Sequence, residues 1–310
     1  MIFMNTYISI TFDVENDFST TSSKNLSWKG LDDGIPLILE QLRSIEDSFG
    51  NEMKFTWFVR ADNQLKEIYG NAGYLLDRYS HLWKLLLKEG DEVGWHPHIY
   101  RRLNSGKWTL EKRDDHLKQK LVESYEAVTR RFSITSARMG ECFHNNTTIA
   151  LFESLGIKVD STALPNRKRN DTERFFDWSC TPNHPYYPSK LDYRVPGKGE
   201  DQLNILEVPM TTIKIKTNYD EVPLDRYLNL GFHVHLMRDD IKKLVRKRDI
   251  LVAVTHPYEL VSIYPKKHPL ISFDINNARN TILTILNECK KINKPFKFIT
   301  ISEILDLWMD

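Results

Sequence analysis

Short apolar runs alternate with longer amphipathic stretches along most of the chain. The runs are rich in β-branched and aromatic residues, and they predict strands at residues 7–12, 54–59, 92–95, 136–138, 158–160, 205–209, 251–255 and 296–300. The amphipathic stretches predict helices at residues 34–48, 73–88, 110–131, 147–155, 239–248, 274–291 and 302–308. Helices that separate strands are typical of parallel crossovers. We therefore predict an α/β fold, a single-domain distorted (β/α) barrel with seven or eight parallel strands.

Residues 166–199 interrupt this alternation. Pro, Asn, Tyr and charged residues are mixed there without a sustained period, so we expect a long loop excursion over one face, of a kind that often carries function. No internal repeat and no linker rich in Gly, Ser or Pro divides the rest. Residues 1–310 are therefore expected to form one domain.

The composition is that of a globular protein with almost no net charge. Of the 310 residues, 41% are hydrophobic and 27% are charged, which is sufficient for one large α/β domain. The 43 Lys and Arg residues balance the 42 Asp and Glu residues, so no global field favours nucleic acid or an anionic membrane. The basic stretch at residues 242–247 is most simply a solvated helix face. Function is expected to depend on a local site.

The cysteines and the first residues favour a cytoplasmic protein. Cys142, Cys180 and Cys289 are far apart, odd in number and without a CxxC pair, which suits a reducing compartment. Residues 1–17 lack a basic region and run from an apolar stretch into carboxylates, so they predict a strand and not a secretion signal. No apolar run approaches the ~18 residues of a membrane-spanning helix, so no integral membrane segment is expected.

Three carboxylates follow the first predicted strand. Asp13, Glu15 and Asp17 lie in the segment TFDVEND, where they repel one another unless a cation or a basic group lies among them. A metal ion would explain the cluster, and a solvated turn with a helix N-cap is the alternative.

A histidine pair follows the third predicted strand. His96 and His98 flank Pro97, which disfavours helical backbone. Residues two apart in an extended segment point to the same side, so both imidazoles can reach one metal ion. Either histidine alone is as well explained by packing, but the pair indicates a metal site.

Three other predicted strands also end in ionisable residues. These residues are Arg138, Asp160 and His256, the last of them followed by proline. Because α/β sheets and barrels build their sites at the carboxyl ends of strands, five such strand ends favour one shared site.

Together these segments resemble the NodB-homology polysaccharide deacetylases, carbohydrate esterase family four. TFDVEND resembles their first motif, GDEVGWHPH their metal-histidine motif and SARMG their arginine motif. VDSTALP is similar to a segment of the branch that includes allantoinase-like and peptidoglycan deacetylases, and LEVP and VTHPYEL resemble the family's last two strands. The motifs occur in the family's order over roughly residues 7–260.

The resemblance implies a role for each matched residue. Asp13 would be the general base, Arg138 would orient it, and His256 would be the acid. One carboxylate and two histidines would hold a divalent metal ion, zinc first, although iron, cobalt or nickel would accept the same ligands. The expected ligands are Glu15, His96 and His98.

The chain departs from the family pattern at two ligand positions. Val14 occupies the place of the commonest metal carboxylate, so the ligand is expected to be Glu15, as in the family's Asp-x-acid variants, or Asp17. Tyr100 occupies the place of the usual second histidine, and His98 is preferred on its spacing.

The expected reaction is removal of an N-acetyl group from an amino sugar or a surface-polysaccharide precursor. A cyclic amide or ureide hydrolase on the same scaffold and a catalytically inactive sugar-binding module are the alternatives. A glycoside hydrolase that uses Asp13 and Glu207 would need no metal, and the histidine pair argues against it.

Aromatic residues predict where a carbohydrate substrate would bind. Trp95, Trp178, Tyr186 and Tyr187 can stack on a pyranose ring, although packing beneath the loop explains them equally well. Asp160 is a further candidate substrate contact. Residues 177–189 are expected to govern substrate choice.

Overall fold

The computed structural model describes residues 5–18, 26–171, 174–262 and 268–309. The α-helices within these residues are α1 Ile35–Leu42, α2 Asn63–Tyr69, α3 Tyr74–Arg78, α4 Ser80–Lys88, α5 Asp114–Thr129, α6 Asn146–Ser154, α7 Arg238–Lys247, α8 Ile275–Lys291 and α9 Glu303–Met309. The strands are β1 Thr6–Val14, β2 Phe55–Arg60, β3 Glu92–His96, β4 Tyr100–Arg102, β5 Trp108–Leu110, β6 Ser136–Ala137, β7 Val159–Asp160, β8 Lys168–Asn170, β9 Phe175–Asp177, β10 Leu206–Glu207, β11 Thr212–Ile215, β12 Leu224–Tyr227, β13 Ile250–Thr255 and β14 Phe296–Phe298.

Two compact units contain these elements. The described residues of 1–17, 27–56 and 210–300 form the first unit, and those of 18–26, 57–209 and 301–310 form the second. None of the described helices is long and apolar enough to cross a membrane.

In the first unit, β1 is the central strand. It pairs in parallel with β13 from Tyr7↔Ile250 to Phe12↔Thr255, and with β14 from Thr6↔Phe296 to Ile8↔Phe298. Its sequence, TYISITFDV, is buried except at Tyr7, as expected of a β-branched and aromatic strand covered on both faces. The pairing places the carboxyl ends of β1 and β13 side by side, and Asp13 and His256 follow these paired residues.

In the second unit, four short strands lie in the order β3, β6, β7 and β10. All pairs are parallel, at Trp95↔Ala137, Ala137↔Asp160 and Asp160↔Glu207. The carboxyl ends of these strands therefore lie along one edge of the sheet, where His96 ends β3 and Arg138 follows β6.

Within the described residues, three antiparallel hairpins are added to the parallel strands: β4 with β5, β8 with β9, and β11 with β12. The hairpin β8–β9 lies in the predicted excursion at residues 166–199. The excursion is thus partly ordered by its own backbone pairing.

The prediction of an α/β fold is confirmed. All eight predicted strands occur, and the parallel sheet is consistent with a distorted (β/α) barrel. The long helix predicted at residues 73–88 is instead two helices, α3 and α4, and the helix predicted from residue 110 begins at Asp114 because β5 precedes it. The single domain stays a prediction, as does the cytoplasmic location.

Candidate metal and catalytic site

His96 and His98 point their imidazoles at one another at the end of β3. Their Nε2 atoms are 3.2 Å apart, and both side chains are buried. His96 Nδ1 lies 2.7 Å from the carbonyl oxygen of Arg138. Because a carbonyl only accepts hydrogen bonds, Nδ1 carries the hydrogen, and in the neutral ring Nε2 keeps its lone pair. A metal-binding histidine is commonly fixed by a hydrogen bond of this kind, so this donor pair fits a divalent metal ion.

Two neighbours confine the ring of His98. Tyr100 stacks on it with ring centroids 5.1 Å apart and planes inclined by 21°. On Gly140, a Cβ atom would lie only 2.6 Å from three atoms of the same ring. The Tyr100 hydroxyl donates to Glu141 Oε1 at 2.7 Å, and its ring serves as a wall for His98.

Arg138 is 1% exposed and held along its whole length. Its Nε donates to the Ser161 carbonyl at 2.7 Å, its Nη2 donates to Ser161 Oγ at 3.0 Å, and the guanidinium lies 4.3 Å from the centre of the Phe58 ring. A buried arginine fixed in this way can present its remaining donors in one direction only.

The carboxylates of the first motif have different surroundings in the first unit. Asp13 is in β1 and is buried. Both oxygens of Asp17 accept hydrogen bonds, from Lys29 N and Gly30 N at 2.8 Å each and from Ser27 Oγ. Asp17 therefore anchors the chain where the π-helix Gly30–Gly34 begins, but it is buried and is not the N-cap residue, which is Lys29.

His256 lies between two carboxylates of the first unit. Its Nε2 is 3.1 Å from Glu15 Oε1, and its Nδ1 is 3.4 Å from Glu259 Oε2. Glu259 also accepts from His256 N at 3.1 Å and from Asn229 Nδ2 at 2.8 Å. Burial by itself lowers the pKa of His256, but Glu259 and Glu15 outweigh burial, so the pKa is well above its ordinary value. A buried histidine held against a carboxylate in this way is a candidate for proton transfer.

A third ionisable cluster lies in the second unit and was not predicted as a cluster. His144 Nε2 is 3.0 Å from Asp160 Oδ2, and both side chains are 0% exposed. Burial alone would raise the pKa of Asp160, but His144 and hydrogen bonds lower it below its ordinary value. Burial and the charge of Asp160 raise the pKa of Glu207 well above its ordinary value. The Ala163 N–H donates to its Oε1 at 2.9 Å.

These contacts give two predicted residues a structural role. The carboxylate of Asp160 accepts from Thr162 and faces His144 in the interior, and its role as a substrate contact stays a prediction. Glu207 is also buried, and its Oε1 accepts from the Ala163 N–H in the interior, so this carboxyl has a structural role as well.

The buried pair of Asp160 and His144 leads to a stability prediction. Asp160→Ala removes a buried carboxylate that faces His144 Nε2 and accepts from the Thr162 hydroxyl, so both polar groups lose their partner and we expect the free energy of unfolding to fall by about 1–3 kcal/mol. Urea denaturation measures this loss. Asp239→Ala removes a surface ion pair with Lys242 and is the control, which should unfold at the same urea concentration as wild type. Equal small losses in both variants would contradict the assignment.

The two predicted tryptophan platforms are packed in the interior. Trp95 donates to Ser124 Oγ at 2.9 Å and packs on Tyr125 and Phe152. Trp178 donates to the Cys142 carbonyl at 2.8 Å, and neither indole has an exposed face. Packing beneath the loop is therefore the interpretation that fits them. Tyr187 is half-buried, and its role as a sugar contact stays a prediction.

Of the residues predicted to act, the structure brings together His96 with His98, and Glu15 with His256. Sequence reasoning missed Glu259 and His144. Glu259 had a local signal, since it lies three residues after His256 and closes a capping box around the 3-10 helix Pro257–Leu260. His144 had no such signal, because it lies in the loop before α6 and its partner Asp160 is in strand β7.

No protein-family model matches this sequence, and no curated protein matches it. Solved structures do match. The fold of this chain is similar to that of polysaccharide deacetylases. A candidate glycoside hydrolase/deacetylase from Parabacteroides distasonis matches with a TM-score of 0.62 and 14% identity, over 98% of this chain and 71% of the other. A candidate polysaccharide deacetylase from Mycobacterium smegmatis matches with a TM-score of 0.50 and 14% identity, over 97% and 90% of the two chains. At such identities the likeness shows the fold alone.

Proposed function

We propose that this protein is a metal-dependent hydrolase that removes the N-acetyl group of an amino sugar. The observation that carries the proposal is the pair of converging Nε2 atoms of His96 and His98, 3.2 Å apart, with the His96 tautomer fixed by a carbonyl. The proposed ligands are these two histidines and Glu15, each of which offers one imidazole nitrogen or carboxylate oxygen. Zinc suits this set.

The similar fold supports the choice of reaction. Both solved structures described above are named for deacetylase activity, and the motifs of this chain resemble that family in the same order. When bound, a divalent metal ion would polarise the acetyl carbonyl and make water a better nucleophile.

The remaining chemistry is proton transfer by residues of the chain. Asp13 would take a proton from the attacking water as the C–O bond forms, and Arg138 would orient Asp13. His256 Nε2 would give its proton to the leaving nitrogen as the C–N bond breaks, which yields acetate and a free amine. The contact of His256 Nδ1 with Glu259 would hold the imidazole in the direction of that transfer.

Acetate release from N-acetylated amino sugars tests this proposal. We expect release by the purified chain, its loss after dialysis against a chelator, and recovery when one equivalent of zinc is restored. A dialysed sample without chelator is the control. Release that continues undiminished in a chelated, metal-free sample would overturn the metal mechanism, and product analysis would identify a cyclic amide substrate if no acetate forms.

A further inference from the structure

The loop Gly140–Cys142 and the hairpin strand β4 together enclose the ring of His98. Tyr100, the first residue of β4, stacks on one face, and Gly140 comes so close that any larger residue would collide with the ring. The Gly140 N–H also donates to the Pro97 carbonyl at 2.9 Å, which fixes the loop against the residue before His98. The ring therefore has little freedom to turn.

Glu141 connects the two sides of this enclosure. Its Oε1 accepts from the Tyr100 hydroxyl at 2.7 Å, and its Oε2 is 2.6 Å from Arg174 Nε. Its side chain is only 10% exposed, so this carboxylate is largely screened from water. A carboxylate that uses one oxygen for each partner couples the position of the Tyr100 ring to Arg174.

The backbone at this point is strained. Glu141 and Cys142 are consecutive non-glycine residues in the left-handed region, with φ of 58° and 53°. Such residues are strained and persist where surrounding contacts hold them, often at functional sites. Here the contacts are those of Glu141 and the hydrogen bond from Trp178 Nε1 to the Cys142 carbonyl.

Arg174 and Trp178 both belong to the excursion at residues 166–199, where they lie directly before and directly after strand β9. The excursion thus contacts the strained loop twice, once through a side-chain carboxylate and once through a main-chain carbonyl. Docking of the excursion and the position of the His98 ring are mechanically connected through Glu141.

We propose that Tyr100 and Glu141 are positioning residues that fix His98 as a metal ligand, and that Arg174 makes their arrangement depend on the docked excursion. This inference rests on the proposed function, since it assumes that His98 binds the metal. Tyr100 thereby gains a role at the place where the family pattern has a second histidine: it orients the neighbouring histidine and does not bind the metal itself.

Zinc affinity of the full chain, measured by competition with a chromophoric chelator, tests this inference. Tyr100→Phe keeps the stacked ring but loses the hydroxyl, and Glu141→Ala loses both contacts of the carboxylate. We expect each to weaken zinc binding roughly 10-fold, in the range seen when a ligand-orienting partner is removed. Glu141→Gln can still accept from Tyr100 and should lose less, which separates that hydrogen bond from the ion pair with Arg174.

A spectroscopic measurement accompanies the affinities. Co²⁺ in place of zinc should show visible absorption bands that shift in Tyr100→Phe, because a turned imidazole changes the ligand geometry. Tyr74→Phe is the matched control: its hydroxyl accepts from Arg78 and its ring stacks on Tyr69, outside the enclosure. The control should keep the wild-type affinity and spectrum.

The outcomes separate this inference from the proposed function. Suppose that the wild-type chain binds zinc. If Tyr100→Phe and Glu141→Ala then bind zinc equally well and leave the Co²⁺ spectrum unchanged, the positioning role is wrong and the metal site stands. If wild-type chain binds no metal, the proposed function fails. The enclosure is then tested in metal-free protein by imidazole NMR, where unchanged His98 signals in both variants would overturn it.

Discussion

Asp13→Asn is expected to lower kcat for acetate release by about 10²–10⁴-fold, the range that a general base contributes. The substitution keeps the size of the side chain at the end of β1 but removes the group that would accept the proton from water. Zinc affinity should stay close to that of wild type, because Asp13 is not among the proposed ligands. The expected signature is therefore a loss in kcat without a loss of bound metal.

Steady-state kinetics on a zinc-loaded sample, with metal content measured in parallel, checks this expectation. Asp33→Asn is the matched control, because Asp33 is an exposed aspartate in the same unit. The control should retain wild-type kcat. An active Asp13→Asn variant would remove Asp13 from the base role, and an inactive variant without metal would show that Asp13 is a ligand instead.

The parallel strands could be predicted from the sequence because each is a short, continuous apolar run. Strand β1 is buried at every position but Tyr7, and strand β7 follows a well-defined helix, α6. The length of each run and the residues that end it therefore distinguish strand from helix. The three hairpins were not predicted, since strands of three or four residues with mixed burial leave too short a pattern. Helix α2 was also missed, although Asp62 caps its start and Gly70, with φ of 76°, ends it.

The site was predictable only where its chemistry is local. Two histidines separated by one proline in an extended segment must point to the same side, and His96 and His98 do so. The segment TFDVEND alone could not decide between Glu15 and Asp17 as the metal ligand. The two differ because the backbone N–H groups of Lys29 and Gly30 donate to Asp17, and that contact depends on how the chain folds back. From the sequence, Tyr100 was only a departure from the family's histidine motif. Its contact with Glu141, 41 positions away, could not be read from the sequence.

His96→Ala is expected to weaken zinc binding at least ~100-fold, beyond the range for residues that only orient a ligand. The substitution removes the imidazole whose Nε2 is fixed toward His98 by the bond from Nδ1 to the Arg138 carbonyl, so no nearby group replaces it. Isothermal titration with zinc measures the loss, and urea unfolding of the metal-free protein separates it from a general loss of structure. His81→Ala removes an exposed histidine of α4 and should bind zinc as wild type does. Because His96 falls on the family position without adjustment, unchanged zinc affinity in His96→Ala would remove the whole proposed ligand set, whereas the fold and the acid–base residues would remain as described.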